Sequence, residues 1–107
     1  MSQQELEALL SELKQGLSLL YGIRLKGVFL FGSYARKTQD LGSDLDVLII
    51  LDDLSLYSTE INRTGELASN LSLQYGTSIS RTFIRENDWR TYDTPLLRNV
   101  RAEAIPL

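Results

Sequence analysis

Two short apolar runs constrain the fold of this chain more than any other feature. Val28–Phe31 forms the first run and ends at Gly32, and Asp46–Leu51 carries the second, which two aspartates close. Apolar residues without polar alternation over this length are typical of a strand that is covered on both faces. Each strand needs an apolar layer on either side, so the sequence predicts helices packed on a sheet.

Amphipathic helices are predicted on either side of these two strands. The first opens with a capping box at Ser2 and Glu5 and is expected to end at Gly22. The second is expected over residues 56–75, before Gly76. The apolar stripe of the first helix comprises Leu6, Leu9, Leu10, Leu13, Leu17 and Leu20. The stripe of the second comprises Tyr57, Ile61, Ala68, Leu71 and Tyr75.

The C-terminal third of the chain predicts one more strand and one more helix. Residues 77–85 alternate apolar or long side chains with Ser and Thr, which indicates a strand with one wet face. Thr94 and Pro95 suit the start of a helix that Pro106 stops. No linker or low-complexity segment interrupts the chain. We therefore expect one α/β or α+β domain over residues 1–107.

Composition narrows the possible chemistry. The chain has no Cys and no His, which excludes disulfides and imidazole bases and makes a zinc site improbable. Any chemistry must use carboxylates, hydroxyls, Lys or Arg, backbone amides, or a hard metal ion. The net charge of −3 argues against polymeric nucleic acid as a direct partner. The absence of a long apolar run and of a signal-peptide pattern predicts a cytoplasmic protein without membrane contact.

The segment between the two buried strands carries the chemistry. Gly32 and Ser33 end the first strand in a turn, where backbone amides and a hydroxyl can approach phosphate oxygens. Arg36 follows about one helical turn later with a guanidinium for phosphate. Asp44 and Asp46 share a face at the mouth of the next strand and suit Mg²⁺. The alternative is a plain turn and a solvated strand entrance, but the combination between two buried strands favours a site.

This segment resembles the nucleotidyltransferase signature of DNA-polymerase-β-type enzymes, which is Gly-Ser, ten residues and Asp-x-Asp. Tyr34-Ala-Arg36 and Ser43-Asp-Leu-Asp-Val47 resemble more closely the minimal nucleotidyltransferases (MNT), which are encoded beside HEPN-domain proteins and often act as antitoxins. The resemblance implies the nucleotidyltransferase fold, a small mixed β-sheet with flanking helices. It also implies nucleotide-binding residues Gly32, Ser33 and Arg36, catalytic residues Ser33, Asp44 and Asp46, and metal ligands Asp44 and Asp46.

The same resemblance implies a function. The chain is expected to bind ATP as substrate and Mg²⁺ as cofactor, and to transfer AMP to a hydroxyl. The expected acceptor is a tyrosine of a cognate HEPN ribonuclease toxin. The protein partner would thus be a HEPN-domain toxin in a hetero-oligomer. Modification of that tyrosine would silence the toxin.

One departure from the family pattern leaves alternatives open. Family enzymes carry a third carboxylate on the next strand, but residues 77–84 contain neither Asp nor Glu. Ser80 or Ser78 is expected near that place, and Glu86 lies just beyond. The chain could therefore neutralise its partner by binding alone. Transfer to a small hydroxylated substrate, such as an aminoglycoside, is a weaker alternative because it normally needs a further substrate-binding domain.

Overall fold

The predicted N-terminal helix is present and ends where expected. The computed structural model describes residues 1–107, and α1 spans Gln3–Tyr21. Ser2 and Glu5 form a complete capping box, with both hydrogen bonds at 3.0 Å. Gly22 closes the helix with a φ of 55°. The residues that α1 buries are Leu6, Leu9, Leu13, Leu17 and Tyr21.

A mixed sheet forms the centre of the structure, as predicted, but it has four strands where the sequence predicted three. The strands are β1 (Leu25–Phe31), β2 (Leu45–Leu51), β3 (Ile79–Arg85) and β4 (Ile105–Pro106), in the order β3-β2-β1-β4. β1 pairs antiparallel with β2 and with β4, whereas β2 pairs parallel with β3. The two apolar runs therefore lie side by side in the middle of the sheet.

Alternate residues of β2 pack into different layers. Leu45, Val47, Ile49 and Leu51 belong to the main core with the leucines of α1. Leu48 and Ile50 belong to a smaller cluster with Val100 on the other face. Partly buried residues complete this smaller cluster: Phe29, Phe31, Ile84, Trp89 and Ala104. Both faces of the central strand are thus covered, which explains its lack of polar alternation.

The prediction of one continuous helix over residues 56–75 is wrong in one respect. The segment forms two helices, α3 (Tyr57–Arg63) and α4 (Gly65–Tyr75), which are separated at Thr64. Thr64 is fully buried, and its hydroxyl donates to the carbonyl oxygen of Glu60 at 2.9 Å. Such a bond back to the preceding turn bends a helix, and the following glycine weakens helical continuity further. α4 ends at Gly76, as predicted, with a φ of 69°.

The C-terminal third contains more structure than its sequence pattern predicts. A short helix, α5 (Glu86–Thr91), follows β3 directly. The next helix, α6 (Pro95–Glu103), is capped as predicted by Thr94, whose hydroxyl accepts from the Leu97 amide at 3.2 Å. Pro106 does not end α6 itself, because the two residues Ile105–Pro106 extend along β1 as β4. No helix of the structure is long and apolar enough to cross a membrane.

Candidate functional site

The turn after β1 brings the backbone of Gly32 against a carboxylate. Gly32 is buried and adopts φ 76° and ψ −156°, a conformation that is almost confined to glycine. A methyl group at this Cα would lie 3.0 Å from the carboxylate carbon of Asp46 and closer still to its Oδ2. The turn and the first residues of β2 are therefore in direct contact, and only glycine leaves room for both.

Ser33 and Arg36 lie on the short helix that follows the turn. This helix, α2, spans Ser33–Arg36 and is a single turn, closed by Lys37 with a φ of 60°. The Arg36 amide donates to the Gly32 carbonyl at 3.1 Å, which fixes the start of the turn. Ser33 is partly exposed, and Arg36 keeps half of its side chain in solvent. Both polar groups are therefore accessible beside Gly32.

Asp44 and Asp46 form a pair of carboxylates at the mouth of β2. Leu45, between them, is fully buried in the main core, so the aspartate side chains face away from α1. Asp44 is exposed and Asp46 is partly buried. Burial raises the pKa of Asp46, and the charge of Asp44 raises it further. The two negative groups thus lie close enough to repel each other.

Glu103 belongs to the same site, and the sequence did not identify it. Its Oε1 accepts a hydrogen bond from the Gly32 amide at 3.1 Å. The Arg36 guanidinium donates to both carboxylate oxygens of Glu103, at 3.1 and 3.0 Å. The hydrogen bond from Arg36 is the main reason that the pKa of Glu103 is lowered. The spacing Leu97, Val100, Glu103 could have placed this residue on the sheet-facing side of α6.

A hollow of about 430 Å³ opens between the turn and α6. Its polar lining comes from Arg36, Asp46, Asn99 and Glu103 and from the backbone of Gly32. A second, mostly apolar hollow of about 210 Å³ lies beside the first half of the same helix. The two share Phe31, Leu96 and Val100. A volume of several hundred Å³ with convergent polar groups is typical of a small-molecule site.

The residue of β3 that lies beside Asp46 is a serine. Ser80 pairs with Asp46 in the parallel register of β2 and β3 and is exposed, as the sequence led us to expect for Ser80 or Ser78. Glu86 starts α5 at the other end of β3, which is about 20 Å of strand away from Ser80, and its partner is Arg90. No group of three acidic side chains is arranged to hold a metal ion.

Comparisons with known proteins show the family to which the chain belongs. Residues 10–91 match the family model described as a nucleotidyltransferase domain. A Methanocaldococcus jannaschii protein, named as a candidate protein adenylyltransferase, is 37% identical over 76 residues, which are 71% of this chain and 76% of that protein.

Two solved structures show the same fold. One is a toxin–antitoxin complex with AMP-PNP, with a TM-score of 0.66 and 22% identity over 90% of this chain and 69% of that chain. The other is a tri-AMPylated Shewanella oneidensis HEPN toxin in complex with an MNT antitoxin, with a TM-score of 0.54 and 18% identity over 92% of this chain and 70% of that chain.

Proposed function

The chain belongs to the nucleotidyltransferase domain family, and from this premise we propose that it transfers AMP from ATP to a hydroxyl group of a protein partner. The observation that carries the proposal is the contact between the Gly32 turn and Asp46, with Asp44 beside it. This contact brings a backbone suited to phosphate next to a carboxylate pair suited to a divalent cation.

Asp44 and Asp46 fit a magnesium ion. Both are hard oxygen donors. Burial and then the charge of Asp44 raise the pKa of Asp46, and a cation between the two carboxylates would relieve their repulsion. Mg²⁺ commonly takes one or two carboxylates and completes its shell with substrate phosphates and water. When bound, the ion would neutralise charge on the phosphates.

The turn supplies the contacts for the triphosphate. The Gly32 amide points into the polar hollow, as its hydrogen bond to an anionic group demonstrates. The Arg36 guanidinium lines the same hollow, and the partly exposed Ser33 follows Gly32 directly in the chain. In the proposed complex these three groups hold the β- and γ-phosphates, so that the α-phosphate lies toward Asp44 and Asp46. Fixing the phosphates in this way accounts for most of the catalysis expected in such transfers.

The proposed reaction is a displacement at the α-phosphorus. The acceptor hydroxyl oxygen forms a bond to this phosphorus, and the bond from it to the α,β-bridging oxygen breaks. Pyrophosphate leaves, and the hydroxyl proton passes to a base. Because Ser80 is the residue paired with Asp46 on β3, this chain offers no carboxylate there to take the proton. The base would come from the partner or from solvent.

The proposed acceptor is a tyrosine of a HEPN ribonuclease toxin encoded nearby, and its modification would silence the toxin. Two similar folds support this partner, because one occurs in a complex with a tri-AMPylated HEPN toxin and the other in a toxin–antitoxin complex with AMP-PNP. The name of the M. jannaschii relative indicates the same reaction class. A reaction of this kind on a ribonuclease would take place in the cytoplasm.

Transfer of label from α-³²P-ATP tests the proposal. Purified protein, Mg²⁺ and the neighbouring HEPN protein are incubated together, and label on the partner is quantified. Asp44→Asn should lower the rate about a hundredfold or more, as expected when a charge-positioning group is removed. Asp93→Asn is the matched control, since Asp93 is an exposed aspartate that pairs with Arg98. Equal labelling of the partner by the wild type and by Asp44→Asn would refute AMP transfer by this chain.

A second function is favoured by one observation, the serine in place of a carboxylate beside Asp46. The domain would then neutralise its partner by binding without transfer. The double variant Asp44→Asn/Asp46→Asn separates the two functions in a toxicity assay. Neutralisation that survives the double substitution supports binding alone, whereas restored toxicity supports AMP transfer.

A further inference from the structure

Glu103 is hydrogen-bonded to two groups to which the proposed function assigns phosphate binding. Its carboxylate accepts from the Gly32 amide at 3.1 Å and from the Arg36 guanidinium at 3.0 and 3.1 Å. One backbone amide and one guanidinium around a shared anion are also how a phosphate group is held. A phosphate oxygen and the Glu103 carboxylate cannot both take the same amide hydrogen.

From this contact we propose that Glu103 is an internal competitor for the nucleotide's phosphates, which ATP must displace before it binds at Gly32 and Arg36. The inference rests on the proposed function, since it assumes that the triphosphate uses this turn. It also adds to it, because it assigns the C-terminal helix a regulatory part in nucleotide binding. Any change that pulls Glu103 away from the turn, including contact with a partner, would raise the affinity for nucleotide.

Displacement requires only a side-chain movement. α6 is fixed on the sheet by Leu97 and Val100, which are 6% and 2% exposed. The residues after Glu103 pair with β1, and the Leu107 amide donates to the Val28 carbonyl at 2.9 Å. The helix end is therefore held from both sides. The Glu103 side chain, by contrast, is 23% exposed and can rotate into solvent without unfolding α6.

Glu103 is expected to lower the affinity for nucleotide only modestly. Arg36 is half exposed, so water screens its pair with Glu103 and limits what the contact contributes. The bond to the buried Gly32 amide adds to the competition because that amide needs an acceptor. We expect the affinity for ATP to rise roughly three- to tenfold when the Glu103 carboxylate is removed. The same increase in affinity is expected for any ligand that uses the same phosphate contacts.

Binding measurements on three ligands test this competition. The dissociation constants of ATP, inorganic tripolyphosphate and adenosine are measured in Mg²⁺ for the wild type, Glu103→Gln and Glu103→Ala. Both variants should bind ATP and tripolyphosphate more tightly and adenosine as the wild type does. The control variant Asp93→Asn removes one negative charge just before the start of α6 and should leave all three dissociation constants unchanged. Thermal melting verifies that each variant is folded.

The outcomes separate this inference from the proposed function. One outcome refutes the competition and leaves the proposed function standing. In that outcome the wild type binds ATP, Asp44→Asn binds ATP more weakly, and the Glu103 variants have the same dissociation constant for ATP as the wild type. The competition is also refuted if the Glu103 variants bind adenosine more tightly by the same factor as tripolyphosphate. It is refuted as well if Asp93→Asn increases the affinity for ATP as much as the Glu103 variants do. If no variant binds ATP or tripolyphosphate, both the proposed function and the competition fail.

Discussion

Replacing Gly32 with alanine is the most informative single change, because it acts on the backbone and on the carboxylate pair together. At φ 76° and ψ −156° the alanine backbone is strained, which costs about 1–3 kcal/mol. For a domain of this size each kcal/mol lowers the melting temperature by roughly 4 °C. We therefore expect the melting temperature of Gly32→Ala to fall by about 4–12 °C.

The added methyl group also reaches the site. It would lie 3.0 Å from the Asp46 carboxylate carbon and nearer to Oδ2, so the carboxylate must turn away. A displacement on the order of 1 Å in a reacting site costs about a hundredfold in rate. AMP transfer by Gly32→Ala should fall by about that factor at a temperature where the variant remains folded. Stability is measured by thermal melting, and the site by label transfer from ATP.

Gly22→Ala is the matched control. Gly22 also has a positive φ, 55°, but a methyl group there has no neighbouring atom within 4 Å. Its substitution should lower stability by a similar amount and leave AMP transfer unchanged. Wild-type transfer by Gly32→Ala would refute the contact between the turn and Asp46. An equal loss of transfer in Gly22→Ala would show that backbone strain alone explains the effect.

Three further changes have definite expected results. The affinity for Mg²⁺, measured by calorimetry, should decline on acidification at a higher pH than it would for an ordinary aspartate. Burial and then the charge of Asp44 raise the pKa of Asp46, and a protonated carboxyl group binds a cation poorly. Tyr21→Phe should lower the free energy of unfolding in urea by about 1–3 kcal/mol, because the buried Glu60 loses the hydroxyl that donates to it at 2.8 Å. Gly65→Ala should raise that free energy by about 0.4–1 kcal/mol, because its φ is not positive and its methyl group meets no atom within 4 Å.

Each of these three expectations has its own contrary result. A magnesium affinity that declines over the same pH range as expected for a solvated aspartate would contradict the raised pKa of Asp46. An unaltered urea midpoint for Tyr21→Phe would show that Glu60 is satisfied without the hydroxyl. A loss of stability in Gly65→Ala would show that the break before α4 depends on glycine.

The sequence predicted the features that depend on neighbouring residues. The central strands follow from uninterrupted apolar runs, and the ends of α1 and α4 follow from Gly22 and Gly76. The turn at Gly32 could be located because a glycine ends one run shortly before the aspartates that begin the next. Each of these signals lies within a few residues of the structure it determines.

The features that the sequence did not predict depend on distant contacts. Thr64 interrupts a helical pattern through a buried bond to Glu60, which the periodicity of the segment does not reveal. Glu103 is 71 positions from Gly32, and only the packing of α6 brings its carboxylate to that amide. The spacing after Leu97 and Val100 puts Glu103 on the sheet-facing side of α6, but it does not show which groups the carboxylate contacts, and an acidic residue in a last helical turn is usually solvated.

The most direct test of the central claim is a crystal structure with a non-hydrolysable ATP analogue and Mn²⁺, whose anomalous scattering locates the cation. We predict one Mn²⁺ about 2 Å from oxygens of both Asp44 and Asp46, with the triphosphate on the Gly32 amide and Glu103 turned away. A cation that binds only one aspartate or neither, or a triphosphate that lies elsewhere on the protein, would contradict the account.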